Sequence, residues 1–240
     1  MLVAREVVVT GGGTGIGFAV ASWFAKAGER VTITGRREQV LLEAASLLGA
    51  RYVPFDASDP AAVTAALPEL PERVDVLVNN AGGNTDWHRE IGDLAAVAES
   101  WRDNFAANVL SAVLVTTALT PRFSDGARIV SIGSIAASNG SGSYGAAKAA
   151  IESWTAGISR ELGRRGITAN VVAPGLIEDT EFFQGTLTEE RRRTLIAHTR
   201  TKRAGKPDDV AELVGYLASP GAGHLTGQVL HLNGGAHLGR

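Results

Sequence analysis

Thr10-Gly11-Gly12-Gly13-Thr14-Gly15-Ile16-Gly17 is the stretch that decides the fold. An apolar run, Glu6–Thr10, precedes it, and a helical pattern, Gly17–Lys26, follows it. Glycines at this spacing permit a tight turn, let backbone approach a pyrophosphate and let a helix pack close to a strand. The free amides at the start of that helix then face an anion. A glycine-rich turn that binds nothing is the competing reading. The strand before it and the helix after it favour a dinucleotide cradle made by Gly11, Gly13, Thr14, Gly15, Ile16 and Gly17.

Working outward, the same strand–helix rhythm recurs. Further β-branched runs lie at Val31–Thr34, Tyr52–Phe55, Val74–Val78, Arg128–Ser131, Thr168–Val172 and Val229–Leu232. Most are continuously apolar, as expected of parallel strands covered on both faces. Helical spacing of alanine and leucine marks Val40–Leu48, Trp101–Leu119, Tyr144–Arg164 and Asp208–Leu217. The alternation predicts an α/β fold with a doubly wound, parallel, seven-stranded sheet and right-handed crossovers. No repeat or linker divides residues 1–240, so a single domain is expected. Gly83–Asp93 and Leu176–Lys202 are irregular, and the second, around 176–202, is long enough to be a functional flap.

The composition suits this reading. Hydrophobic residues make up 45% of the 240 and charged residues 20%, ordinary for a globular chain. A formal net charge of −2 provides no field toward nucleic acid or an anionic membrane, so neither is expected as a partner. With no cysteine there is no disulfide, thiol nucleophile or cysteine-ligated metal, and no metal site is expected. The start, Met1-Leu2-Val3-Ala4-Arg5-Glu6, lacks the pattern of a secretion signal, and no run approaches the ~20 apolar residues of a membrane span. A cytoplasmic protein is the expectation.

Two further marks accompany the glycine loop: Asn79-Asn80-Ala81-Gly82 at the end of the fourth strand, and Asp56-Ala57 after the third. Taken together the chain resembles the short-chain dehydrogenase/reductase family over essentially its whole length, and within it the 3-oxoacyl-carrier-protein reductases. The resemblance implies a Rossmann-type domain that interconverts a secondary alcohol and a ketone with a nicotinamide cofactor. It implies that Asn80, Ala81 and Gly82 lie along the adenosine ribose, and that Asp56 and Ala57 hold the adenine. Read alone, consecutive asparagines leaving a strand could cap a turn, and Asp56 could cap a helix.

Tyr144 and Lys148 form a Y-x-x-x-K pair whose side chains share one helix face. A phenol with pKa near ~10 is a poor acid or base at neutral pH. An adjacent ammonium favours phenolate and is expected to lower that pKa. By the resemblance Tyr144 carries the hydroxyl proton, and Lys148 also bonds the nicotinamide ribose. Ser134, in Ser131-Ile132-Gly133-Ser134-Ile135-Ala136, resembles the family serine that holds the substrate oxygen and stabilises developing charge. It stands ten residues before Tyr144, where about thirteen is usual in the family. Either the loop Ala137–Ser143 is shortened or Ser131 takes the role. The strand-end pattern favours Ser134, and Ser138 is a weaker third candidate. Asn108 resembles the helix asparagine that binds a water linking the lysine to solvent; an asparagine bonding its own helix backbone is the plainer reading.

After the sixth strand, Pro174-Gly175-Leu176-Ile177 resembles the family motif whose isoleucine meets the nicotinamide, with Thr180 nearby. Phe182, Phe183, Leu187, Leu195 and Ile196 suggest an apolar underside to the flap. From Glu189 to Arg203 six basic residues face two acidic ones, which could dock an acyl carrier protein or simply form a solvated face. Thr226-Gly227-Gln228 and the last strand resemble the family's closing segment, and imply a homotetramer. The second strand ends in Gly35-Arg36-Arg37, with glycine where NAD-selective relatives carry an acid. Arg36 and Arg37 can bond a 2′-phosphate, so NADP(H) is expected to be preferred over NAD(H). Glu38 could fold back on either arginine. The expected activity is reduction or oxidation of a small carbonyl or alcohol, with 3-oxoacyl thioesters, small ketones, sugars and secondary metabolites as candidate substrates. A non-catalytic nucleotide sensor is the alternative, disfavoured by the intact Asn, Ser, Tyr and Lys set.

Overall fold

Strand β1 (Glu6–Thr10) carries Val7, Val8 and Val9, all fully buried, with alternate side chains facing opposite layers. Val7 and Val9 join one hydrophobic cluster and Val8 the other. That two-sided burial stabilises by roughly 1.5–3 kcal/mol per valine, and it explains why the strand reads as continuously apolar. The computed structural model describes residues 4–90, 92–140 and 142–239. The reading of the chain start at residues 1–3 therefore lies outside the described residues.

The remaining strands are β2 (Arg30–Gly35), β3 (Arg51–Pro54), β4 (Val74–Asn79), β5 (Phe123–Ile132), β6 (Thr168–Pro174) and β7 (Val229–Leu232). All pair in parallel, in the order β3-β2-β1-β4-β5-β6-β7. The doubly wound sheet expected from the sequence is thus present. The order reverses between β1 and β4, and a ligand crevice belongs at the C-terminal ends of strands flanking such a switch point.

Helices α1 (Gly15–Lys26), α2 (Glu38–Leu48) and α9 (Pro207–Leu217) cover one face through Phe24, Leu41, Val210 and Val214. On the other face, α3 (Pro60–Ala66), α5 (Ser111–Leu119) and the C-terminal end of α7 (Gly142–Leu162) contribute Val63, Val115, Leu119 and Leu162. Asp59 begins α3 by accepting the Ala61 amide at 2.8 Å, a cap the sequence reading passed over.

Three expectations need correction. The helix assigned to Trp101–Leu119 starts earlier, as α4 (Leu94–Phe105), because Asp93 accepts the Ala96 amide. It is also interrupted before α5 by a π-helical turn, Ala106–Leu110, which contains Asn108. Such turns favour functional sites because they redirect side chains and free backbone groups. Second, the flap is partly helical: Thr188 caps α8 (Glu189–His198). Third, by length and composition the helical stretch Leu94–Arg122, π-helical turn included, just reaches membrane-span hydropathy, with a window mean of 1.2. Its inner face, Ala112, Val115 and Leu119, is buried in the core. Between β5 and α7 the short α6 (Ala136–Asn139) lies in the loop that the spacing marked as shortened.

Candidate active site

The glycine loop is shaped by close approach. A Cβ at Gly17 would lie 2.1 Å from the Gly11 carbonyl oxygen, so no larger residue fits without moving the loop. Gly11 itself sits at φ 64, where residues with a Cβ are strained. Thr14 precedes α1 without capping it through its side chain. The first-turn amides of Gly15, Ile16 and Gly17 consequently have no intrahelical acceptor and are available to an anion.

A clamp the sequence reading missed holds this loop. Thr10 Oγ1 accepts the amides of Asn80 and Ala81, each at 3.0 Å. Asn80 Nδ2 donates to the carbonyls of Thr10 and Gly11, also at 3.0 Å. Asn80 Nδ2 is therefore spent on fixing the loop to the end of β4, and Asn80, Ala81 and Gly82 all line the cleft.

The cleft spans about 1420 Å³ along the C-terminal ends of the strands. Arg36, Arg37, Asp56 and Ala57 line one end and Ser134, Tyr144 and Lys148 the other; Pro174 and Gly175, with Ile177 and Thr180 from the start of the flap, also line it. Burial pushes the Asp56 carboxyl up, but bonds from the Ser58 amide and hydroxyl, with Arg36 nearby, hold it below its ordinary value. Arg37 pairs with Glu181 of the flap at 2.7 Å, whereas the sequence reading had offered Glu38 as the partner.

Tyr144 and Lys148 stand on the first turns of α7, with the Lys148 Nζ 5.7 Å from the Tyr144 ring centroid. Lys148 is 5% exposed, donates to the Ile132 carbonyl at 2.8 Å, and is lowered by burial to about 8. Burial pushes the Tyr144 phenol up to about 12, with the Ser134 hydroxyl acting weakly the other way. This reverses the expectation of a lowered phenol. Desolvation disfavours phenolate more than the ammonium, itself desolvated, favours it.

The candidate serines separate by burial. Ser134 opens onto the cleft, and its Oγ accepts the Ala136 amide at 3.1 Å. Ser131, at 1% exposure, is enclosed in β5 opposite Asn79, and Ser138 is exposed on α6. Asn108 donates to the carbonyls of Gly83 and Asn104, both at 2.9 Å, and accepts the Gly83 amide at 3.0 Å. Its side chain is thus engaged with its own helix backbone and with the irregular segment that starts at Gly83.

Asp86, also missed, ties the catalytic helix to its surroundings. Its Oδ2 accepts from Ser100 at 2.7 Å and Asn104 at 2.8 Å on α4, and from Ser143 at 2.7 Å, the residue before Tyr144. Trp87 packs on Phe182 and Phe183 at centroid distances of 5.6 and 5.2 Å, and Phe182 lies 5.5 Å from the Tyr144 ring. Phe182 and Phe183 were expected beneath the flap; a lone Trp in an irregular loop carried no signal of its role.

Half of the basic run, three of its six cations, is paired with carboxylates. Arg192 pairs with Glu178 and Glu189, Arg193 with Glu189, and Arg203 with Asp209.

A strand-end cleft that holds a phosphate cradle after β1 and a Ser, Tyr and Lys group beyond β5 defines a nicotinamide-dependent oxidoreductase class. Residues 11–237 match the family model described as enoyl-(acyl carrier protein) reductase. The chain belongs to the short-chain dehydrogenase/reductase family, and is an NAD(P)-dependent oxidoreductase of the alcohol–carbonyl type. It is similar to the 3-oxoacyl-[acyl-carrier-protein] reductase of Vibrio cholerae, with 32% identity over 247 residues and 99% of each chain covered. Among solved structures, a short-chain dehydrogenase/reductase from Mycobacterium ulcerans superposes with TM-score 0.88 at 31% identity, covering 97% of this chain and 89% of that one. A metagenomic blue fluorescent protein in complex with NADPH gives 0.86 at 33%, covering 98% of both.

Proposed function

We propose that the protein reduces a ketone to a secondary alcohol, with preference for NADP(H), and that a 3-oxoacyl thioester is its best candidate substrate. The observation that carries the reading is the Tyr144 phenol beside Ser134 and Lys148 on the wall of the same cleft as the glycine loop. A bound nicotinamide supplies the hydride. Ser134 donates a hydrogen bond to the carbonyl oxygen, and Tyr144 protonates that oxygen as charge develops on it. Lys148 holds the ribose hydroxyls, Asn108 positions the Gly82–Gly83 segment, and Asn80, Ala81, Gly82, Asp56 and Ala57 bound the adenosine side. Pro174, Gly175, Ile177 and Thr180 flank the nicotinamide half. The segment 176–202 acts as the substrate flap, with Phe182 and Phe183 excluding water from the reacting atoms. The decisive test is loss of NADPH absorbance with a panel of simple ketones, a coenzyme A 3-oxoacyl ester and its carrier-protein equivalent. Clear cofactor binding with no turnover on any of them supports a nucleotide sensor instead.

A faster reaction on the carrier-protein ester than on the coenzyme A ester would assign an acyl carrier protein as partner; the internal pairing of Arg192, Arg193 and Arg203 leaves half of the six cations for such a contact. Assembly as a homotetramer is supported by an exposed apolar row on α4, Leu94, Val97 and Trp101, with Trp101 stacked on Phe105 at 6.1 Å. The absence of cysteine suits work in a reducing cytoplasm.

Preference for NADP(H) is supported by Gly35 and by Arg36, which lines the cleft near Asp56. Relatives of similar fold were solved with NADPH and with NADP. A Cβ at Gly35 would make only ordinary contacts with Leu41, from 3.6 Å, so an acid can be introduced there. Gly35→Asp/Arg36→Leu is expected to weaken NADPH binding by roughly ten- to a hundredfold relative to NADH. Titrating both cofactors into both proteins measures the ratio, and an unchanged ratio rejects the assignment.

The pH dependence follows from the two buried groups. Tyr144 stays protonated well above neutrality, which suits a proton donor. Lys148 carries its charge below about 8 and loses it above. The kcat/KM for reduction is therefore expected to be flat on the acid side and to fall as pH rises through about 8. Oxidation needs phenolate, so its rate should climb with pH. A reduction profile that rises across this range contradicts the assigned roles.

A further inference from the structure

An acidic segment lies on the rim of this cofactor cleft, although the dinucleotide it receives is a polyanion. Glu178-Asp179-Thr180-Glu181 follows β6 and lines the cleft. Thr180 stands 3.4 Å from where a Gly15 Cβ would be, which places the segment over the phosphate cradle. Glu178 is held by Arg192. Glu181 is held by Arg37, with its Oε2 2.7 Å from Nη2. The same Oε2 accepts from the Thr14 hydroxyl at 3.4 Å, and Arg37 Nη2 lies 3.5 Å from that hydroxyl. The Arg37 bond keeps the Glu181 carboxyl below its ordinary range, so it is anionic under working conditions. A cation at the end of β2 and a hydroxyl of the glycine loop thus converge on one carboxylate.

We propose that Glu181 is a specificity-determining residue for the cofactor: it occupies Arg37 and Thr14 as an internal anion that an adenosine 2′-phosphate must displace. The inference rests on the NADP(H) reading above. Carboxylate and phosphate oxygens are equivalent charge-assisted acceptors for a guanidinium, so both compete for the same Arg37 edge. A carboxylate left in place also repels the incoming phosphate. NADH has no 2′-phosphate and escapes both effects. The side chains of Arg37 and Glu181 are 58% and 62% exposed, so the pair is weak and opens readily. Glu181 therefore imposes a modest penalty on NADPH and narrows the selectivity that Gly35 and Arg36 create.

Dissociation constants for NADPH and NADH, from nucleotide fluorescence titrations at low salt, test this in wild type, Glu181→Gln, Arg37→Gln and the double variant. Glu181→Gln is expected to tighten NADPH binding about two- to fivefold and to leave NADH binding essentially unchanged. The gain should vanish in the Arg37→Gln background and shrink at about 0.5 M salt. Unchanged NADPH affinity, equal tightening of both cofactors, or a gain that survives without Arg37 overturns the proposal. A wild type that prefers NADPH while Glu181→Gln leaves it unmoved removes only the role of Glu181. A wild type that binds NADH as tightly as NADPH removes the NADP(H) reading, and this inference with it.

Discussion

Tyr144→Phe is expected to reduce turnover by at least ~10²–10⁴-fold while leaving cofactor affinity nearly unchanged. The ring packs beside Phe182, and phenylalanine keeps that contact. Only the hydroxyl is lost, and with it the proton that must reach the substrate oxygen. Because the phenol is raised to about 12, the wild-type proton is fully loaded at neutral pH, and its loss should be felt across the whole working range. Steady-state rates with NADPH, together with a cofactor titration, separate chemistry from binding. Retention of more than roughly a tenth of wild-type turnover would remove Tyr144 from the proton-transfer role.

The second large effect divides the serines. Ser134→Ala is expected to lower kcat/KM by roughly a hundred- to a thousandfold, equivalent to about 2.7–4 kcal/mol of transition-state stabilisation. Ser131→Ala should leave the rate within a few-fold, because that hydroxyl is enclosed in the sheet and has no hydrogen-bond partner among the described residues. Comparing the two variants on one ketone decides the matter. A larger loss at Ser131 than at Ser134 means that the substrate oxygen lies elsewhere.

Short-range relations were legible in the residues alone. Burial on both faces makes each inner strand continuously apolar, so the α/β alternation and the parallel sheet could be read from local pattern. The glycine loop was legible because its spacing reflects backbone approach within eight residues, and Tyr144 with Lys148 because four residues return to one helix face. Relations across the chain were not. The Thr10–Asn80 clamp joins residues 70 apart, Asp86–Ser143 residues 57 apart, and Arg37–Glu181 residues 144 apart. Each depends on which strand ends and loops the sheet order brings together, and no local pattern contains that order. Tyr144 shows the same division. Its position beside Lys148 is a matter of helix spacing. Its proton affinity was misjudged from that spacing, because desolvation, with Phe182 beside the ring and the flap over the cleft, outweighs a neighbouring charge, and burial is a property only the tertiary structure possesses.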